Sequence, residues 1–131
     1  MKSHCFPIAC ECAGIAPQGE VSAWVERMQG EPVENGGSKH EVAYEYLRRA
    51  GWAMLDCGHL HDIGGRTFLT AKRILDLTLD KYIMLATGHA VAVTEGGVWD
   101  AAGADHRLSR VVSVWIPPVD YRLVDPPRMP E

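Results

Sequence analysis

Apolar residues recur at helical spacing through the first half of the chain and gather into short, dense runs in the second half. Residues 3–14 read as a helix: Ser3 suits an N-cap, Pro7 falls in the first turn, and Gly14 is a natural stop. A second helix is expected from Gln18 to Met28, where Val21, Trp24, Val25 and Met28 form one apolar stripe. Pro32, Asn35, Gly36 and Gly37 make Gly30 to Gly37 a loop. In the third helix Ser38 and Glu41 have the spacing of a capping box. Val42, Ala43, Tyr46, Leu47 and Ala50 line its inner face, and Gly51 ends it. Trp52 to Leu55 reads as a short strand, and Arg66 to Leu69 as another extended piece. Thr70 suits the N-cap of a fourth helix, Ala71 to about Leu77, with Ile74, Leu75 and Leu77 or Thr78 turned inward.

Past Asp80-Lys81 the period changes. Tyr82–Ala86, His89–Val93 and Val98–Asp100 form three strands in succession, broken at Thr87-Gly88 and at Glu95-Gly96-Gly97, where glycine suits tight hairpins. Val111 to Ile116 adds a strand that stops at Pro117-Pro118. Helices first and strands afterwards predict an α+β fold, with residues 1–118 as a single domain and 119–131 as an extended, proline-rich tail. No internal repeat is visible.

Length and composition narrow the class. One domain accounts for 131 residues, and 47% hydrophobic with 23% charged residues is ordinary globular usage. A net charge of -4 leaves no basic footprint for nucleic acid. No run reaches the roughly 20 apolar residues of a membrane span. Pro7 and Glu11 interrupt the N-terminal apolar run, so neither a secretory signal nor a disulfide framework is expected, and the cytoplasm is the expected compartment. The four cysteines then serve as core, catalytic or metal residues. Cys10 and Cys12, further along the first helix, suit small core positions.

Two constellations carry chemistry. His89 opens the middle strand and Asp100 closes the next, so an antiparallel hairpin brings them toward one end of the sheet. A histidine oriented by a carboxylate lacks only a nucleophile to make a triad. Cys5, at the start of the first helix, stands where free backbone N–H groups and the helix dipole favour a thiolate. In the second constellation an extended Asp56-Cys57-Gly58-His59-Leu60-His61-Asp62 would turn Cys57, His59 and His61 to one face as zinc-type ligands. No fourth ligand stands out, and a polar loop leading to Gly64-Gly65 is the alternative.

The order Cys5, then Gly88-His89-Ala90-Val91-Ala92-Val93, then Val98-Trp99-Asp100 resembles the papain-like cysteine peptidase fold, in particular its small bacteriophage and prophage members. The resemblance spans Cys5 to about Ile116 and implies N-terminal helices packed on a small antiparallel sheet. It also implies a Cys5–His89–Asp100 triad that hydrolyses a peptide or amide through a thioester, with no cofactor. Larger members carry a Gln before the nucleophile as second oxyanion donor. Only Met1-Lys2-Ser3-His4 precede Cys5, which leaves Ser3 or His4 as substitutes. The missing Gln opens an alternative: a catalytically weak or inactive phage protein of the same fold that binds a host protein. The implied partner is accordingly a peptide or protein substrate, or a host target, in the host cytoplasm if the chain is phage-encoded. The sequence leaves the oligomeric state open.

Overall fold

The computed structural model describes residues 4–55, 65–86, 88–95, 97–99, 110–119 and 125–130, with Asn35 and Trp99 described for their backbone alone. Four helices and five strands fall among these residues. They are α1 (Cys5–Cys12), α2 (Glu20–Gln29), α3 (His40–Arg49), β1 (Ala53–Met54), α4 (Phe68–Leu75), β2 (Tyr82–Ala86), β3 (His89–Thr94), β4 (Gly97–Trp99) and β5 (Val111–Ile116). The strands pair antiparallel throughout in the order β1-β5-β2-β3-β4. The fold class is mixed α+β.

The sheet is covered on both faces, which is why β2 reads as an unbroken apolar run instead of an alternating one. Ile83 and Leu85 of β2, with Ala90 and Ala92 of β3, share a core with α1, α2 and α3. Tyr82, Met84, Val91 and Val93 share a second core with Phe68, Ala71 and Leu75 of α4. Small residues line both sides of the α1–β3 contact, Ala9 on the helix and Ala13 at its C-cap, and Ala90 and Ala92 on the strand. With no long side chain between them, helix and strand can approach closely.

A β-bulge corrects the alternation of β5. Leu85 pairs with Ser113 and Ala86 with Val111, so Val112 is the extra residue and stays exposed. The bulge lets Trp115 join the α1–α3 core while Val111 and Val114 join that of α4. Ser113 is buried, and its hydroxyl accepts the Trp115 Nε1–H at 3.0 Å, which satisfies the indole inside the apolar layer.

The ends of α1 and α3 follow the sequence. In α1 the Gly14 N–H donates to the Glu11 carbonyl and the Ile15 N–H to that of Cys10. In α3 the Gly51 N–H donates to Arg48 and the Trp52 N–H to Leu47. Both are Schellman closures, and at Gly51 the chain takes φ +85°, which a Cβ would strain. Buried Trp52 and Leu47 supply the hydrophobic contact that accompanies the motif.

The starts of the helices depart from the expected caps. The N-cap of α1 is His4, one residue past the expected Ser3, which lies outside the described residues. The capping box is not made in α3: the helix starts at His40, its N-cap Lys39 makes no side-chain cap bond, and Ser38 is buried instead. Gln29, from the end of α2, takes over that corner. Its Oε1 accepts the Lys39 N–H at 3.1 Å, and its Nε2 donates to the carbonyls of Gly37 and Glu31. The loop between α2 and α3 therefore closes around one side chain, with Val33 buried in a short 3-10 turn.

Helix α4 likewise starts earlier than expected, at Phe68 with Thr67 as N-cap, so Thr70 lies inside it. Thr67 is held by an antiparallel bridge to Arg110, a long-range contact that decides where the helix begins. Leu75 is buried, but Leu77 lies beyond the helix and is 83% exposed, contrary to the inward position considered for it.

Candidate functional site

Cys5 and His89 each owe their position to one local device. Cys5 is the first residue of α1, and the helix lies across β3. His89 is the first residue of β3 and pairs with Ala86 of β2, and Gly88 just before it takes φ +73°. The two side chains, 84 positions apart, meet with Cys5 Sγ 3.9 Å from His89 Nδ1. Each residue is only 3% exposed.

Strict alternation would not have assigned His89 to this face. Val91 and Val93, the next odd positions of β3, belong to the α4 core. His89 meets α1 because it stands at the strand's first position, beside a glycine in left-handed conformation, where no preceding ladder pair fixes its direction. With Nδ1 turned to the sulfur, Nε2 is the ring atom left to face an orienting acceptor.

The expected third member, Asp100, lies outside the described residues. The β3–β4 hairpin is formed, with Thr94 opposite Gly97, Val93 opposite Val98 and Ala92 opposite Trp99. Ser3 is likewise outside the described residues. The ring of His4 is turned toward the 3-10 turn, its Nε2 3.9 Å from Glu34 Oε1 at an exposed position. Cys57, His59 and His61 fall outside the described residues too. Among the described residues no group of three or more His, Cys, Asp or Glu side chains is arranged to hold a metal ion.

The other α1 thiols have different surroundings. No disulfide joins Cys5, Cys10 and Cys12 to one another. Burial, with Glu11 adding to it, pushes the Cys10 thiol well above its ordinary range. Cys12 is exposed, contrary to its expected core position, yet partial desolvation and then Glu11 raise its thiol as well. Both are protonated and weakly nucleophilic at neutral pH.

Open space lies elsewhere. A groove of about 540 Å³ sits at the far end of α1 and β3, bordered by Cys12, Gly14, Asp80, Lys81, Thr94 and Glu95. Nothing in the sequence pattern pointed to it, because its walls are the ends of elements distant in the chain. His40 was also passed over. Its Nδ1 is buried without a hydrogen-bond partner among the described residues, its ring lies edge-on to Tyr44, and burial lowers its pKa. A neutral ring at the start of α3 is the consequence.

Comparison of the chain with protein-family models, with curated proteins and with solved structures finds no match. No helix among the described residues is long and apolar enough to cross a membrane.

Proposed function

We propose that the chain is a cysteine hydrolase of papain-like type, acting on a peptide or amide bond. The observation that supports it is the buried contact of Cys5 Sγ and His89 Nδ1 at 3.9 Å, at a helix start and a strand start. In this reading the Cys5 sulfur, as thiolate, attacks the acyl carbon and forms a C–S bond while the carbonyl electrons move to oxygen. The backbone N–H of Cys5 faces that oxyanion. His89 donates its proton to the leaving nitrogen as the C–N bond breaks, then takes a proton from water, which opens the thioester and frees the sulfur. Asp100 is assigned the role of fixing the ring through Nε2.

The test is alkylation by iodoacetamide at neutral pH, mapped residue by residue. Cys5 is expected to react faster than Cys10, Cys12 and Cys57, and His89→Ala to slow it by about a hundredfold, the lower range for a positioned base. Equal rates at all four thiols, unchanged by His89→Ala, would sink the proposal.

A second reading draws on the burial of the same pair. At 3% exposure neither sulfur nor ring has an open approach for an acyl substrate, and the 540 Å³ groove lies away from them. That arrangement favours a protein of the same architecture that binds a host target without turnover. Alkylation of Cys5 only after unfolding would select this reading over catalysis.

A further inference from the structure

The proline-rich segment at the C-terminus is seated on the body of the protein. Residues 125–130 form neither helix nor strand. Pro127 and Pro130 are half-buried, whereas Asp125, Pro126, Arg128 and Met129 lie exposed except for the backbone of Arg128. Burial three residues apart is the period of a polyproline-II helix, and three prolines in six residues pre-set the φ that this conformation needs. The sequence Pro127-Arg128-Met129-Pro130 has the Pro-x-x-Pro form.

The seat is Trp24 of α2, backed by α3. Trp24 Nε1–H donates to the carbonyl oxygen of Arg128 at 2.9 Å, across 104 positions of chain. The Trp24 ring is 1% exposed, held edge-on by Tyr46 at 5.0 Å and flanked by the Arg49 guanidinium at 5.5 Å. Two half-buried prolines and a buried indole N–H on the main-chain carbonyl between them are parts of proline-rich peptide recognition. The contact reads the shape of the segment. The side chains of Arg128 and Met129 are exposed, so the polar contact is to the main chain, which any Pro-x-x-Pro segment presents.

We propose that this α2–α3 face is a docking groove for a proline-rich Pro-x-x-Pro segment of a partner protein, and that the chain's own tail occupies it as a displaceable latch. A tethered tail competes at an effective concentration in the millimolar range, so the groove is masked until a partner outcompetes the tail or the tail is loosened.

The test uses the full chain and a fluorescein-labelled hexapeptide copying residues 125–130. Pro127→Ala/Pro130→Ala in the full chain weakens the latch. The peptide is expected to bind this variant at least tenfold more tightly than the native chain and to shift the Trp24 indole N–H resonance. A peptide with both prolines replaced by alanine is expected not to bind, a control that does not depend on how well any protein variant folds. Trp24→Phe in the loosened background is expected to abolish binding. The proposal is overturned if the indole signal fails to move in either protein, or if the alanine peptide binds equally. Light scattering that shows a concentration-dependent dimer of the native chain overturns it as well, since a second copy's tail would then be the occupant.

Discussion

The two ends of the α1–β3 contact carry opposite halves of what a cysteine enzyme needs. At one end Cys5 has an imidazole 3.9 Å away but almost no solvent; at the other Cys12 is exposed beside a 540 Å³ groove, with its thiol raised by burial and Glu11. If Cys5 is the nucleophile, as proposed, exposure alone marks the wrong thiol. A nucleophile requires the thiolate, and a partner that stabilises it counts for more than access, since access can open with motion whereas an imidazole cannot be borrowed.

The largest expected effect comes from separating the two ends. Phe6, next to Cys5, is fully buried and edge-on to Tyr46 at 6.0 Å. Phe6→Ala removes the side chain that packs the start of α1 against α3 in the core shared with the sheet. It is expected to cost about 3–5 kcal/mol in urea unfolding, as for other buried aromatic truncations. If the Cys5–His89 contact depends on that docking, Cys5 alkylation in Phe6→Ala should no longer respond to His89→Ala, while Cys12 keeps its native rate. A Cys5 still coupled to His89 in this variant would show that the turn at Gly88, and not the helix, sets the pair.

A smaller effect sharpens the contrast from the Cys12 side. Glu11 raises the Cys12 thiol, so Glu11→Gln is expected to speed Cys12 alkylation by roughly twofold to fivefold at pH 8, the scale of one exposed neighbouring charge. Gln keeps an acceptor for the Gly19 N–H that Glu11 Oε1 now holds, which preserves the α1–α2 corner. Cys5 should be unaffected. An equal acceleration at Cys5 would mean that the two ends share one electrostatic environment and are not distinct.

How much of this was visible beforehand differs by element. Strand β2 matches its apolar run, Tyr82–Ala86, because burial on both faces leaves no polar position to blur the ends, and β5 matches Val111–Ile116 because Pro117 stops it. The α1 and α3 stops at Gly14 and Gly51 were legible because a Schellman closure is a local event. The α3 and α4 starts were not. Gln29 claims the Lys39 N–H from ten residues away, and the Arg110 bridge holds Thr67 from across the chain. Local cap residues at Ser38 and Thr70 lost to tertiary partners that no spacing rule contains. The same holds for the site: the meeting of Cys5 with His89 followed from element order, whereas its closure and the distant groove depend on how the elements pack.

The smallest expected effect concerns the α4 face and serves as the control for the site. Asp76, at the end of α4, accepts from Tyr82 Oη at 2.7 Å and pairs with Lys72. Partial burial pushes its carboxyl upward, but the hydrogen bonds from Lys72 and Tyr82 outweigh that and leave it below the usual carboxylate range. A carboxyl lowered on folding binds fewer protons folded than unfolded through the interval between the two values. Its contribution is thus complete above the ordinary carboxylate range and disappears as the pH falls through its folded value. Urea unfolding at pH 7 and at pH 3 should therefore show an acid loss of stability that is reduced in Asp76→Asn. The reduction is small, because the side chain is more than a third exposed and solvent screens it. Alkylation of Cys5 should be the same in Asp76→Asn as in the native chain, since the residue belongs to the opposite side of the sheet from α1. A change there would mean that the two faces of the sheet are coupled, and that a charge beneath β2 tunes the thiol above it.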